Sequence, residues 1–196
     1  HAFIQYVRRA LAIGLLISAA VLAPAAARSL DNPEVILDLS SQVEVDTLVQ
    51  GRDGQLYGAG YVGGWAVFRV VPGNKLEALH VLTEAEGSST RGLLLGADGN
   101  FYGLTAHGGE FNLGTIYRVS PEGRFKLLHS FTAADGRIPN QLLLAQDGNF
   151  YGTLYLGGEF GRGTAYRMTP NGKFTVIHNF GATEADPPYP LDLIQA

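Results

Sequence analysis

The chain has 196 residues, of which 46% are hydrophobic, only 16% are charged, and none is cysteine. This length suits one domain, or one domain with an anchor. Since about a quarter of the residues in a typical domain are charged, the composition excludes a disordered acidic tail and a basic nucleic-acid binder. The lack of cysteine excludes disulfides, thiolate metal sites, cysteine nucleophiles and an acylated cysteine anchor.

An uncharged stretch, residues 10–27, lies between Arg8-Arg9 and Arg28. Positive charge followed by an apolar stretch and small residues is typical of a secretory signal. Eighteen helical residues also extend about 27 Å, close to the hydrocarbon thickness of a bilayer. We expect residues 1–29 to form one apolar helix that is retained as a membrane anchor, with cleavage as the alternative. In both cases the positive-inside rule keeps Arg8-Arg9 in the cytoplasm and sends the remainder to the periplasmic or extracellular side.

Acidic residues are confined to the part of the chain after Leu30, which contains all 18 of them. An acidic body of this kind repels nucleic acid and anionic lipid headgroups. We therefore expect no nucleic-acid partner, and we expect membrane contact only through the N-terminal helix.

A motif occurs three times in the body. Asp53–Gly58 (DGQLYG) returns as 98–103 (DGNFYG) and 147–152 (DGNFYG), at offsets of 45 and 49 residues. A Gly-Gly pair, an aromatic-Arg pair and a Pro-containing turn follow in the same order each time, and a Leu-His or Ile-His pair closes each unit. The sequence therefore predicts an internal repeat, with units at about 42–82, 91–131 and 140–180 of a domain that covers residues 30–196.

Each unit is predicted to contain four short antiparallel strands, which we term a to d. In the second unit, strand a contains Leu93–Leu95, strand b is Asn100–Thr105, strand c is Thr115–Ser120 and strand d is Phe125–Phe131. Asp-Gly between a and b predicts a type I′ hairpin turn, and Pro-x-Gly between c and d predicts a second turn. Along strand c, Tyr117 and Val119 are expected on one face, with Ile116 and Arg118 on the other. Four strands in 45–49 residues is the size of a β-propeller blade, and the fold class is therefore all-β and propeller-like.

The ordered set of Asp-Gly-x-x-Tyr-Gly, Gly-Gly, Gly-Thr-x-Tyr-Arg and Pro-x-Gly resembles the GloVer tandem repeat, a family of bacterial repeats, over about residues 34–196. The resemblance implies an exported protein with a propeller-like fold, and it implies no assigned activity. The first unit departs from the pattern because Gly63-Gly64 leads directly into Trp65, so its b–c connection is expected to be tighter.

Both ends of the repeat are incomplete. Residues 34–39 align with strand d and residues 190–194 with strand a, which predicts a partial unit at each end. A partial ring leaves uncovered sheet edges, which invite pairing with other chains. Three outcomes stay open: the chain continues further, an open arc is covered by partners, or the protein oligomerises through its edges.

Repeated polar residues are the main candidates for chemistry. Three equivalent histidines, with Asp38 at a fourth equivalent place, would suit a zinc or iron site. They lie on outer strands of different units, so a hydrogen bond from each imidazole to a nearby loop is the simpler expectation. The aspartates of the Asp-Gly turns supply one carboxylate per turn, too few for Ca²⁺, and are expected to cap their own turns. The two groups are His80, His129 and His178, and Asp53, Asp98 and Asp147.

Three repeated arginines, Arg69, Arg118 and Arg167, are expected to pair with carboxylates or to cap loop carbonyls in the next unit, with a ring that binds an anion as the alternative. Glu110 and Glu159 are equivalent loop residues, not a matched catalytic pair. Aromatic residues in or near the b–c connections are either core residues or anchors for a sugar or a protein; these are Trp65, Phe111, Tyr155 and Phe160.

The function predicted from these residues is that of a non-catalytic, membrane-anchored extracytoplasmic accessory or scaffolding subunit. Its partners would be other subunits of a respiratory, photosynthetic or envelope complex in a bacterial membrane. An exported carbohydrate- or surface-binding module is the alternative. An enzyme of lactonase or lyase type would need a unique polar cluster at a channel mouth, whereas the polar residues here mostly repeat. We therefore expect no enzyme activity, no cofactor, and no catalytic or metal-binding residues.

Overall fold

The computed structural model of the chain describes residues 43–73, 75–191 and 193. These residues form twelve β-strands and no helix. The strands are β1 Val43–Gln50, β2 Leu56–Val62, β3 Trp65–Val71, β4 Lys75–Val81, β5 Ser88–Leu95, β6 Phe101–His107, β7 Thr115–Val119, β8 Phe125–Ser130, β9 Arg137–Leu144, β10 Phe150–Leu156, β11 Thr164–Met168 and β12 Phe174–Asn179.

Three separate sheets divide these strands, and each sheet contains four consecutive antiparallel strands. We call them blade 1 (β1–β4), blade 2 (β5–β8) and blade 3 (β9–β12). The all-β prediction of four-stranded repeat units is confirmed. The predicted N-terminal helix at residues 1–29 and the partial unit at residues 34–39 lie outside the described residues.

The first strand of each blade lies on the inner side of the array. Strand β1 packs against β5, and β5 packs against β9. We call β1, β5 and β9 the inner strands, and the last strand of each blade (β4, β8 and β12) the outer strand. Because the inner strands of successive blades pack against one another, equivalent residues of successive repeats lie side by side.

The hydrophobic core lies between neighbouring blades. Tyr117 and Val119 of β7 face blade 1 in one buried cluster, whereas Ile116 faces blade 3 in a second. Strand c is therefore buried on both faces, and the predicted alternation along it is confirmed. Burial of these large apolar side chains is the main favourable contribution to the blade–blade contact.

Contacts between tilted aromatic rings connect each blade to the next. Tyr57 of blade 1 lies over Phe101 of blade 2 with ring centroids 4.3 Å apart, and Tyr102 lies over Phe150 of blade 3 at 4.2 Å. Both pairs come from the repeated Asp-Gly-x-x-Tyr-Gly motif, whose aromatic residues occupy the start of strand b. The motif is thus the element that joins successive blades.

The Asp-Gly turns differ from the predicted type I′ geometry. In blade 1 the Gly54 amide donates to the Gly51 carbonyl, and the Gly51 amide donates to the Gln55 carbonyl. This pattern closes a three-residue loop in which Gly54 alone has a positive φ, 80°. A type I turn followed by a left-handed glycine has this form. Asp53 has no positive φ, and its contribution to the turn is a hydrogen bond from the loop to its side chain.

Glycine is required in strand b because the aromatic ring of strand c occupies the space beside it. A Cβ on Gly103 would lie 2.3 Å from the Tyr117 hydroxyl oxygen, and a Cβ on Gly152 would lie 2.2 Å from that of Tyr166. Real side chains do not approach so closely. In each blade, the glycine of the Tyr-Gly step therefore leaves the space that an aromatic ring of strand c occupies.

After β12 the chain returns along blade 3 without forming a strand. Asn140 donates to the Pro190 carbonyl, and Thr153 donates to the Leu191 carbonyl. Pro190, Leu191 and Leu193 lie outside any strand, so the inner strand predicted at 190–194 is not formed by its described residues. No helix long and apolar enough to span a membrane occurs in the part of the chain that the structure describes.

Candidate functional site

The antiparallel order gives each blade two ends of different composition. The a–b and c–d turns lie at one end, which we call the turn end. The b–c connections and the links from one blade to the next lie at the other, which we call the loop end. In blades 2 and 3 the b–c connection is a seven-residue loop, whereas in blade 1 it is only Gly63-Gly64, as the sequence predicted.

Exposed aromatic side chains are concentrated at the loop end. Phe111 and Phe160 occupy equivalent places in the b–c loops of blades 2 and 3, and are 52% and 43% exposed. In the shorter connection of blade 1, Tyr61 packs edge-on against Trp65 at 5.6 Å and is itself 40% exposed. Exposed aromatic residues on ordered loops are typical of binding surfaces.

The b–c loops are held by internal hydrogen bonds. In blade 2 the Gly114 amide donates to the Gly108 carbonyl, and the Gly108 amide donates to the Asn112 side-chain oxygen. In blade 3 the Gly163 amide donates to the Gly157 carbonyl in the same way. The loop backbone is therefore satisfied without any contribution from Phe111 or Phe160, whose rings are left facing solvent.

A polar depression of about 510 Å³ lies at the loop end, against the b–c loop of blade 2. Carboxylate, hydroxyl and amide groups line it together with two glycines and an alanine: Glu84, Ala85, Ser88, Gly108, Gly109 and Asn112. A depression lined by groups that donate and accept hydrogen bonds is suited to binding a polar ligand.

The three repeated histidines are structural. The His129 imidazole donates to the Asp135 carboxylate at 3.0 Å, and its ring stacks on Phe174 of the next blade at 4.0 Å. His80 makes the same contacts with Glu86 and Phe125, and His178 bonds to Asp186. The expectation of a hydrogen bond from each imidazole to a nearby loop is confirmed. Among the described residues, no three metal-ligating side chains lie close enough to hold a metal ion.

The partner carboxylate of each histidine also fixes the link between blades. Asp135 accepts hydrogen bonds from the Thr132 amide and hydroxyl as well as bonding to His129. Burial disfavours the charged form of Asp135, but these hydrogen bonds outweigh it and hold the pKa of Asp135 below its ordinary value. The same balance lowers the pKa of Glu86 in blade 1.

The turn aspartates cap their own turns, as predicted. Asp98 accepts hydrogen bonds from the Asn100 amide and side chain and from the Tyr102 hydroxyl at 2.9 Å. Burial and this hydrogen bond to Asp98 raise the pKa of Tyr102 to about 12. Asp53 and Asp147 bind Tyr57 and Tyr151 in the same manner.

Two of the repeated arginines, Arg69 and Arg118, pair with carboxylates as expected, and these carboxylates belong to their own blade, not to the next unit. Arg69 binds Glu77 of β4, which lies directly opposite it on the neighbouring strand, with the closest N–O distance 3.0 Å. In blade 2 the opposite residue is Lys126, and Arg118 lies 3.9 Å from Asp98 instead. Cross-strand register accounts for both pairings.

Comparison with protein families identifies the repeat. The model of the Gloeobacter/Verrucomicrobia repeat matches residues 35–196. The chain belongs to this family. The family assignment made from the repeated motifs is therefore confirmed, and the match covers all of the residues that the structure describes. Comparison with curated proteins finds no match.

Solved structures share the fold at low identity. A structure from Bacteroides thetaiotaomicron of unknown function matches 76% of this chain with a TM-score of 0.51 and 18% identity, and the match covers 41% of that structure. A protein provisionally named a gluconolactonase matches 67% of the chain (TM-score 0.48, 18% identity, 48% of its own length). A Bacteroides uniformis protein provisionally named a 6-phosphogluconolactonase matches 77% (TM-score 0.49, 18% identity, 46% of its own length). The chain thus spans less than half the length of each.

The prediction that the chain is not an enzyme requires correction. Two of the similar structures carry provisional lactonase names, which contradicts that prediction. The prediction assumed that the polar residues of the body repeat. The inner strands instead carry Asp46, Arg91 and Asn140 at equivalent places, three different polar side chains. These three residues were not predicted because only residues that recur in every repeat were considered as candidates. An alignment of the three repeats shows them as a position at which the polar side chain differs.

Proposed function

We propose that the protein is a membrane-anchored accessory or scaffolding subunit on the extracytoplasmic side, which binds another subunit of a larger membrane assembly through the loop end of its blades. The observation that carries this proposal is the exposure of Phe111 and Phe160 at equivalent places on ordered loops. Exposure of these two aromatic rings to water is unfavourable in the isolated chain, and burial of the rings against a partner removes this cost.

Two further features support the proposal. The uncharged segment at residues 10–27 provides an anchor that leaves the repeats outside the cytoplasm. In addition, the body after Leu30 is acidic and repels anionic lipid headgroups, which leaves membrane contact to the N-terminal segment. A subunit tethered at one end and apolar at its loop end is suited to docking on a membrane-embedded partner.

The test is site-specific photo-crosslinking in the native membrane. A benzoylphenylalanine is placed at position 111 or 160, and at position 127 as a control, because Leu127 is 38% exposed but lies on the outer strand β8. We expect the same discrete crosslinked partner from positions 111 and 160 and none from position 127. Equal crosslinking from all three positions, or none from positions 111 and 160, would contradict the proposal.

Carbohydrate binding is the second candidate, and the polar depression against the b–c loop of blade 2 is the observation that favours it. Glu84, Ser88 and Asn112 line this depression and can bind sugar hydroxyls. Phe111 belongs to the same loop and offers an exposed ring to an apolar sugar face. Here a glycan array probed with the full chain distinguishes the candidates. Saturable glycan binding that is lost in Phe111→Ala but kept in Leu127→Ala supports the second candidate. Protein crosslinks without glycan binding support the first.

A further inference from the structure

The c–d turn of blade 3 contains an asparagine followed by a glycine. Asn171 is the only asparagine in the sequence that glycine follows. Its side chain is exposed at the turn end, and Gly172 takes the positive φ of the turn, 95°. The equivalent residue in blade 2 is Glu122, so a side-chain amide at this place distinguishes blade 3 from blade 2.

An Asn-Gly pair can react with itself. The glycine backbone nitrogen attacks Cγ of the asparagine side chain, a new N–C bond closes a succinimide ring, and the side-chain nitrogen leaves as ammonia. Water then opens the ring at one of its two carbonyls and gives either aspartate or isoaspartate. The overall reaction consumes one water and releases one ammonia. Glycine favours it because no Cβ shields the attacking nitrogen and the backbone turns freely.

The side-chain oxygen that gains charge in this reaction already has a donor. The Thr169 hydroxyl donates a hydrogen bond to Oδ1 of Asn171. When the Gly172 nitrogen adds to Cγ, negative charge develops on Oδ1, and a donor placed there stabilises it. The Gly172 amide itself donates to the Thr169 carbonyl at 2.9 Å. This bond must open before the attack, and exposed turns open at low cost.

Two asparagines at the same end of the blades are held differently. The side-chain amides of Asn100 and Asn149 donate to the turn aspartates at 2.6 and 2.9 Å. Each is followed by a buried phenylalanine, Phe101 or Phe150, at the start of a strand. A bulky buried residue restricts the approach of its own backbone nitrogen to the asparagine side chain. These two residues are therefore internal controls for Asn171.

Blade 2 shows that a carboxylate fits this turn. The Ser120 hydroxyl donates to the Glu122 carboxylate at 2.7 Å, as the Thr169 hydroxyl does to the Asn171 oxygen. An aspartate at position 171 would therefore keep its hydrogen bond. Isoaspartate is different, because its main chain runs through the side-chain carbon and lengthens the turn by one atom.

The lengthened turn would disturb the contact between blades 2 and 3. The Pro170 carbonyl accepts a hydrogen bond from the Tyr102 hydroxyl of blade 2 at 3.5 Å. A Cβ built on Gly172 would lie 3.4 Å from the Leu128 carbonyl oxygen of blade 2. Both contacts are made by the turn that contains Asn171, so a change in its length alters the packing of one blade on the next.

We infer that Asn171 is a modification site, at which the chain deamidates spontaneously through a succinimide formed with the Gly172 nitrogen. The isoaspartate product weakens the contact between blades 2 and 3. The reaction needs no enzyme and no reagent except water. It does not depend on the partner proposed for the loop end.

Peptide mapping of the folded full chain tests the inference. The chain is incubated in a nonionic detergent at mildly alkaline pH, and fragmentation by electron transfer separates asparagine, aspartate and isoaspartate at each position. We expect Asn171 to convert at least about tenfold faster than Asn149, and to give both aspartate and isoaspartate. Equal rates at Asn171 and Asn149 would overturn the inference. Aspartate without isoaspartate at position 171 would also overturn it, because water would then have attacked the side chain directly.

Urea unfolding before and after the incubation tests the effect on the blades. The incubated chain should unfold at a lower urea concentration, in proportion to its isoaspartate content. Asn171→Glu is the matched control, because it gives blade 3 the turn residue of blade 2 and removes the reacting amide. Its unfolding should be the same before and after incubation. An equal shift in Asn171→Glu, or no shift in a chain that contains isoaspartate at position 171, would contradict the effect on the blade contact.

Discussion

The turn end and the loop end of the blades differ in what their residues do. At the turn end the same Asp, Tyr and Gly recur in every blade, and their hydrogen bonds are satisfied within the chain. At the loop end the b–c connection has seven residues in blades 2 and 3 and two in blade 1, and the rings of Phe111 and Phe160 are exposed. Residues at the turn end therefore build the array, and residues at the loop end are available for binding.

The largest effect is expected from filling the space that strand b leaves for strand c. Gly103→Ala places a Cβ 2.3 Å from the Tyr117 hydroxyl oxygen, and should destabilise the fold by about 3 kcal/mol. Urea unfolding followed by the fluorescence of Trp65 measures this loss. Gly64→Ala is the control, because its Cβ would meet only the Val81 side chain, at 3.2 Å. Equal losses in the two variants would show that the close approach is unimportant.

The second effect concerns the carboxylates that join blade to blade. Asp135→Asn should cost about 2 kcal/mol near neutral pH, because Asp135 accepts hydrogen bonds from His129 and Thr132 in its charged form. Since its pKa is lowered on folding, this stability is present above the ordinary carboxyl value of about 4 and is lost as the pH falls through the folded pKa.

Unfolding free energies at pH 6 and pH 3 test this sign. The difference between the unmodified chain and Asp135→Asn should shrink at pH 3. Glu84→Gln, which changes an exposed carboxylate in the link between blades 1 and 2, should change stability little at either pH. A difference between the unmodified chain and Asp135→Asn that is the same at both pH values would contradict the assignment.

A smaller effect of opposite sign is expected at the buried tyrosines. Tyr166→Phe removes a fully buried, unpaired hydroxyl, and should stabilise the chain by about 1 kcal/mol. Blade 1 already has Phe68 at the equivalent place, fully buried against Gly58. A loss of stability in Tyr166→Phe would show that the hydroxyl has a partner in the folded chain.

The smallest effect on stability is expected at the loop end. The double variant Phe111→Ala and Phe160→Ala should change the free energy of unfolding by no more than about 0.5 kcal/mol, because both rings are largely exposed. A loss above about 2 kcal/mol would place the rings in the core and remove the contrast between the two ends.

Much of the fold could be predicted because its determinants are local and occur three times. Asp-Gly and Pro-x-Gly fix the turns, and the alternation in Tyr117 and Ile116 fixes the two buried faces of strand c. The inner strands extend further than predicted, from Ser88 instead of Leu93 in blade 2, because their first halves are polar and do not repeat.

The candidate sites were harder to predict because they depend on strand register and loop conformation, which the repeated motifs do not reveal. The partner of Arg69 depends on the register that places Glu77 opposite it, which the spacing of motifs does not reveal. Exposure of Phe111 and Phe160 likewise depends on how the loops fold, not on their residues alone.

The native mass of the chain after gentle solubilisation of its membrane tests the central claim most directly. A scaffolding subunit should elute in an assembly whose detergent-corrected mass clearly exceeds the 20.9 kDa of the chain, and the Phe111→Ala and Phe160→Ala variant should shift toward the mass of the chain alone. A monomer of unchanged mass in both preparations would contradict the account.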